Sequence, residues 1–393
     1  MKVRFGILPK QIEDRMNPKA RHLHNIRESA YLPKFLNQAE GKRTSNAMHI
    51  RTHEYFERLS PEFERSEQER LSKNVVQKLK VMIGVSEICF GVGVSSIFAD
   101  IFSRIKPTRL IATTHEYPGL VEVARTGQIN DNLITWQMYG LVGRKLATSD
   151  TRLNVDLIEP YHVDALIGSA ARERGSSIIL VSHVSRVDGR IFPIAEIDQE
   201  VQKLNRERMA GDKIHFIVDG SQAVGSMEVD LSKFSGTYLF TSSKALMAEP
   251  CIGVAVGNEP IGIDSWISLP ELFSLDQILE TVDFLKFYDE FKRMKKEALR
   301  IFGTLDGVNI VKENLSSPYM VYFSIPGVNP VVIREGAARE GFDIYGEEQK
   351  YVYTKPEYAR ISFTSETNWN HIEEFARFLS VFVSRIKKQG GEF

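Results

Sequence analysis

The residues of this chain that could do chemistry fall at the ends of short apolar runs. The run His215-Phe216-Ile217-Val218 stops at Asp219, with Gln222 following shortly after. "YLF" is followed by Thr241-Ser242-Ser243-Lys244, and "LIATT" by His115-Glu116-Tyr117. After "EICF" comes Gly91-Val92-Gly93-Val94-Ser95-Ser96, which opens a helical stretch. After "ILVSH" comes Val184-Ser185-Arg186-Val187-Asp188-Gly189. Taken singly, each has an ordinary use. A carboxylate ending a strand serves a turn, a lone histidine braces a scaffold, and a lone lysine is solvated. Gly and Ser open many helices. Taken together they supply an acid, an amide one turn beyond it, an imidazole and an amine. They also supply a turn of free N–H groups at a helix N-terminus, which suits a phosphate.

Those groups need a scaffold that gathers strand ends. The runs "EICFGVG", "TRLIATTHEY", "NLITWQMYG", "SSIILVSHVS", "KIHFIVDGS", "TYLFTSSK" and "CIGVAVGN" read as strands, several of them continuously apolar. Helix-length segments such as "VDALIGSAARERG" and "IAEIDQEVQKLNRERMAG" separate most of them. Fully buried strands alternating with helices predict an α/β fold built on a mostly parallel sheet. Ligands of such sheets bind beyond the carboxyl ends of the strands, where these residues stand. From about residue 260 the texture changes. "DQILETVDFLKFYDEFKRMKKEALRIFGTL" reads as one long helix. It is followed by strand-like "YMVYFSI", a helix around "PVVIREGAAREG", strand-like "ARISFTS" and a last helix, "NWNHIEEFARFLSVFVSRIKKQ". The expected division is an N-terminal helical segment over 1–73, a large α/β domain over 74–258 and a smaller α+β domain over 259–393. A capped amphipathic helix starts at Ser60-Pro61, with Leu71, Val75, Val76, Leu79 and Met82 near helical spacing.

Composition narrows the partners. Lys and Arg total 50 against 51 Asp and Glu, which gives no electrostatic reason to expect nucleic acid or an anionic membrane. The two cysteines, Cys89 and Cys251, form no CxxC or Cys/His cluster, so neither a disulfide scaffold nor a metal site is expected. The first residues lack the apolar core of a signal peptide, and no stretch is long enough to span a membrane without a charge. The expectation is a cytoplasmic protein with a small-molecule substrate.

A phosphate cradle, an aromatic residue, Asp–x–x–Gln and hydroxyl–x–hydroxyl–Lys, in that chain order, are the parts that pyridoxal phosphate requires. It needs a lysine for its Schiff base, a carboxylate on its pyridine nitrogen and an anion site for its phosphate. Asp219 would keep the pyridine nitrogen protonated, and Gln222 would reach the ring hydroxyl.

At this point the chain resembles the class V aminotransferase group of fold-type-I pyridoxal-phosphate enzymes. That group contains cysteine desulfurases, cysteine C–S lyases, isopenicillin-N-epimerase-like proteins and serine–pyruvate-type aminotransferases. "VDGSQAVGSMEVDLSKF" followed by "YLFTSSKALMAEPCIGVAVGN" carries the resemblance, with Asp219 and Lys244 25 positions apart. It implies His115 stacked on the pyridine ring and Lys244 as the cofactor's covalent anchor. It implies Val94, Ser95, Thr241 and Ser243 at the phosphate. It also implies that Arg360, in "ARISF", clamps the substrate α-carboxylate, and that a homodimer builds the active-site mouth. Three departures bear on the reaction. Ser243 stands where histidine often precedes the lysine, closer to the serine–pyruvate type. Arg186 stands where desulfurases commonly have Asn; it would meet the ring oxygen, meet a second acid group on the substrate, or point to solvent. "GFDIYGEEQKYVYTKPEYAR" contains no cysteine, which disfavours a persulfide-forming desulfurase. The resulting expectation is an aminotransferase using a keto acid as second substrate, with a C–S lyase or epimerase as the alternative. A non-catalytic binding or scaffold subunit of the same fold, and an unrelated nucleotide-binding protein, stand as readings of another class.

Overall fold

The computed structural model describes residues 21–22, 61–126, 154–158, 162–172, 174–242, 244, 246, 248, 252–258, 261, 267, 269–310, 317–346, 358–363 and 369–388. After a short strand β1 (Arg21–His22), the chain runs through α1 (Pro61–Ile83), β2 (Glu87–Val92), α2 (Gly93–Ile105), β3 (Arg109–Thr113) and α3 (Pro118–Thr126). It continues through β4 (Asn154–Ile158), α4 (Val163–Arg172), β5 (Ser177–Ser182), α5 (Ile194–Arg206), β6 (Ile214–Asp219), β7 (Thr237–Thr241) and β8 (Ile252–Gly257). The main sheet has the order β2-β8-β7-β6-β5-β3-β4. Strands β3 to β7 run parallel, while β8 lies antiparallel to both β7 and β2. The sheet is therefore mostly parallel, with one reversed strand that the apolar run "CIGVAVGN" did not announce.

Why these runs become central strands follows from burial on both faces. Every residue of β5 and of β8 is buried. Successive side chains of a strand point to opposite faces. Ile178 and Leu180 accordingly join one core with Phe98 of α2 and Leu120 of α3. Ile179 and Val181 join the other, with Val75 and Leu79 of α1 and Ile197 of α5. Strand β4 escaped the sequence pattern because it is an edge strand. Asn154 and Asp156 interrupt its apolar character and Leu157 is exposed. The expected strand "NLITWQMYG" lies outside the described residues.

The single long helix expected after residue 270 is two helices, α6 (Leu269–Thr281) and α7 (Phe284–Phe302). Asp283 caps the second by accepting from the Lys286 N–H at 3.1 Å, satisfying one of its orphan donors. The break marks a change of core. Leu272, Leu275 and Ile278 of α6 pack with α1 under the main sheet. Phe291, Met294 and Phe302 of α7 pack in a second core. That core covers a sheet formed by β9 (Asn309–Ile310), β10 (Met320–Ser324), β12 (Tyr345–Gly346) and β13 (Ala359–Ser362), in the order β12-β13-β10-β9. Helix α8 (Pro330–Arg339) and the closing α9 (Trp369–Lys388) complete it, and β11 (Phe342–Asp343) pairs with β1. Among the described residues no helix is long and apolar enough to cross a membrane.

Candidate functional site

The parallel strands deliver the chemistry-bearing residues to one edge of the main sheet. β5 and β6 pair in register so that Ser182 lies opposite Asp219, and β6 pairs with β7, which leads to Lys244. Asp219 is buried, and its Oδ1 accepts the Ser221 N–H at 2.9 Å. His183, just past β5, donates its backbone N–H to the Asp219 carbonyl at 2.9 Å. Its Nδ1 lies 2.7 Å from the Tyr238 hydroxyl, and burial holds it neutral by lowering its pKa to about 4. Burial, with Asp219 adding to it, raises the Tyr238 phenol well above its ordinary value, so that hydroxyl donates to His183. Gln222 is buried, and its Oε1 accepts a hydrogen bond from Tyr319, which leads into the second sheet. The amide NH2 is then the end left to donate.

The loop after β3 carries a buried pair. His115 Nδ1 lies 2.9 Å from Ser185 Oγ and 3.8 Å from Asp188 Oδ1. Ser185 Oγ also accepts the N–H groups of Val187 at 3.1 Å and Asp188 at 3.2 Å. Both its lone pairs are thereby engaged, so its hydroxyl proton points at His115. The network assigns neutral His115 the tautomer with its proton on Nε2. Beside it, Glu116 accepts from Thr113 Oγ1 at 2.5 Å and from Ser182 Oγ at 2.6 Å. Burial raises its pKa to about 8 despite those two hydroxyls, and the nearby Asp219 adds to the rise. A Glu in a loop after a strand reads as a surface charge, which is why its burial was not foreseen.

At the other end of the sheet, α2 begins directly on β2 and has no side-chain cap. Its first N–H groups and its dipole are available to an anion. Gly93 has φ +77, and a Cβ there would point into open space. The turn lies hard against β8: a Cβ on Gly253 would fall 2.4 Å from the Gly93 carbonyl oxygen, so only glycine fits. Val94 is half-buried and Ser95 buried in this first turn. Thr241 donates its hydroxyl to the Ile252 carbonyl at 3.2 Å, a bond it would exchange to meet a phosphate. Lys244 is half-buried just beyond β7, and Ser243 lies outside the described residues.

Arg360 enters from the second sheet. It sits on β13 between Tyr322 of β10 and Tyr345 of β12, each directly opposite it in register. Its Cζ lies 4.0 Å from the Tyr345 ring centroid and 5.8 Å from that of Tyr322. Nη1 donates to the Arg186 carbonyl and to the Tyr322 hydroxyl, both at 3.4 Å. The residue is 1% exposed, and Nε and Nη2 meet no hydrogen-bond partner among the described residues. Those two nitrogens form the side of the guanidinium that grips a carboxylate bidentately. Arg186 does not point to solvent: Nη2 donates to the Tyr345 hydroxyl at 3.0 Å, and Cζ lies 5.3 Å from the Tyr117 ring centroid. The two sheets interlock here. Gly189, at φ +73, lies so close to Tyr322 that a Cβ would come within 2.2 Å of the ring, and the Tyr322 hydroxyl donates to the Ser185 carbonyl at 3.2 Å. Tyr319, Tyr322 and Tyr345 were not read from the sequence. Only the pairing of β10, β12 and β13 reveals two of them beside Arg360.

The donor set fits pyridoxal phosphate: an uncapped helix N-terminus with an open glycine turn, a buried carboxylate and amide on one strand end, and a lysine on the next. Residues 151–262 match the model of the family described as Aminotransferase class-V. Over 228 residues the chain is 23% identical to a probable cysteine desulfurase of Chlamydia trachomatis, covering 53% of this chain and 52% of that protein. The chain thus spans about half the length of that curated relative. Among solved structures, the apo cysteine desulfurase of Thermococcus onnurineus NA1 is similar with TM-score 0.66 and 14% identity, over 96% of this chain and 99% of that one. The cystine C–S lyase C-DES, solved with its product cysteine persulfide, is similar with TM-score 0.60 and 15% identity, over 85% of this chain and 93% of that one. The chain thus shares the fold of these solved structures, and its residues 151–262 match the class V aminotransferase family.

Proposed function

We propose that the protein is an aminotransferase that uses pyridoxal phosphate to act at the α-carbon of an amino acid. The observation that carries this reading is the buried Arg360 fork. A guanidinium screened from water with two donors unmade is costly until an anion meets it. The α-carboxylate of an amino acid supplies that anion in the geometry the fork prefers.

When bound, pyridoxal phosphate supplies a pyridine ring that accepts the negative charge developing at the substrate's α-carbon. The chain's own residues do the rest. The α2 N-terminus with Val94 and Ser95, with Thr241 and, by the family resemblance, Ser243, would hold the phosphate. Asp219 would hold a proton on the pyridine nitrogen. Its position is fixed by the Ser221 N–H on Oδ1 and by the His183 N–H on its backbone carbonyl. Gln222, its carbonyl held by Tyr319, would donate its amide to the ring oxygen. His115, oriented by Ser185, would present its ring to the pyridine face. Lys244 would anchor the cofactor covalently, and its amine, once freed, would serve as the general base for the proton on the substrate α-carbon. Where that proton is returned separates transamination from elimination.

A persulfide-forming desulfurase is disfavoured because residues 341–360 contain no cysteine, and Cys89 lies within β2 of the main sheet. The likeness to C-DES and to desulfurase relatives keeps C–S elimination as the second reading. A cytoplasmic homodimer completes the proposal, on the family resemblance. The test is to incubate the cofactor-loaded protein with single amino acids and no keto acid. Transamination yields one equivalent of keto acid per cofactor and then stops until a keto acid is added. Many turnovers to pyruvate and ammonia would establish the lyase instead.

A further inference from the structure

We infer that the preferred substrate is a dicarboxylic amino acid, with Arg186 receiving the side-chain carboxylate. This rests on the reading that Arg360 takes the α-carboxylate. The two guanidiniums belong to one assembly around a single ring. Arg360 lies on the face of Tyr345, 4.0 Å from its centroid, and Arg186 Nη2 meets the hydroxyl at its edge, at 3.0 Å. The backbone joins them as well, since Arg360 Nη1 donates to the Arg186 carbonyl at 3.4 Å.

Arg186 also reaches toward the cofactor side of the site. Its Cζ lies 5.3 Å from the ring of Tyr117, which follows His115 and Glu116 in the loop after β3. Its guanidinium therefore spans the space between the loop that carries His115 and the strand that carries Arg360. A substrate whose α-carboxylate is held by Arg360, with its side chain directed past Tyr345, would meet Arg186 there.

Charge favours the same conclusion. Two guanidiniums one tyrosine ring apart bring positive charge together, with the aromatic faces and the nearby Asp188 carboxylate offsetting part of the repulsion. Such a field attracts a doubly negative ligand more strongly than a singly negative one. A ligand with two carboxylates on a short carbon chain presents one charge to each guanidinium. An arginine serving only to brace Tyr345 would show no preference among ligands, which separates the two roles by experiment.

The test measures dissociation constants in the cofactor-loaded protein. Aspartate and glutamate are compared with asparagine and glutamine through the cofactor's visible spectrum. Succinate is compared with butyrate by calorimetry, which needs no reaction. The acids should bind about tenfold or more tighter than their amides, and succinate tighter than butyrate by a similar factor. In Arg186→Gln both ratios should fall towards one, while Arg186→Lys should keep part of them. Amides equal to acids in the wild type, or ratios unchanged in Arg186→Gln, would overturn the assignment. The two readings fail separately. If succinate is preferred but no amino acid alters the spectrum, the amino-acid chemistry falls and the dicarboxylate site stands. If neutral amino acids react and no acid is favoured, only the dicarboxylate site falls.

Discussion

Replacing Arg360 with methionine should make the ligand-free protein more stable and its ligand binding much weaker. The structure sets both signs. Nε and Nη2 are buried without a hydrogen-bond partner among the described residues. Each such donor costs about 1–3 kcal/mol. Against this stand two 3.4 Å bonds from Nη1, beyond the usual N–H···O range, worth together about 1–2 kcal/mol at most. The stacking on Tyr345 adds about 1–2 kcal/mol. Methionine keeps an unbranched stem of similar length and makes its own contacts with the ring. The expected balance is a gain of about 1 kcal/mol, or roughly 1–3 °C in Tm for a chain of this size. Binding should move the other way. Removing the charged partner of a buried carboxylate costs about 2–5 kcal/mol. That is roughly a 30- to 5,000-fold rise in Kd. Thermal melts without ligand and spectral titrations with amino acids read the two quantities on the same sample. A variant that melts several degrees lower and binds amino acids as tightly as the wild type would refute the reasoning.

Two further outcomes are expected. Asp219→Asn should retain the cofactor, because the phosphate and lysine contacts remain, but lose most of its activity, since a charge-assisted bond is roughly twice as strong as a neutral one; a wild-type rate would remove Asp219 from the proposed role. Glu116→Gln should flatten the pH dependence of stability between about pH 6.5 and 8. Burial raises Glu116 to about 8, so the folded chain holds a proton there that the unfolded chain has released, and wild-type stability falls as pH rises through that window. His183, lowered to about 4 by burial, acts in the opposite sense, but only below its ordinary range near 6.5. Parallel denaturation curves for the wild type and variant at both pH values would show that Glu116 is ionised at neutral pH.

What could be read from the sequence was what depends on neighbours in the chain. Strands β5, β6 and β8 are continuously apolar because both faces are buried, and that leaves a local signature. Asp219, Gln222 and Lys244 stand out because polar groups end those runs. The remainder depends on pairing between distant segments. The direction of β8 has no trace in its own residues. The break at Asp283 is invisible to helical periodicity, because apolar residues continue across it in Val282, Phe284 and Leu285 and only the cores on either side differ. Ser185 and Glu116 look like loop residues until the folded sheet places them beside His115 and Ser182. Tyr345 gains meaning only from its register opposite Arg360.

The reversed strand β8 also sets an order of assembly during synthesis. Strand β2 and the Gly93 turn are made well before their neighbour in the sheet, β8, with Val92 paired to Ile252 and Glu87 to Gly257. At about 5–20 residues per second, that partner arrives roughly ten to thirty seconds later. Until then β2 has nothing to pair with on that side, and the Gly93 turn lacks the Gly253 backbone against which it is seated. The nascent chain must carry an apolar, unpaired edge through that interval, which exposes it to aggregation. The Gly93 turn is thus made well before it can be completed, which happens only when β8 has slotted between β2 and β7.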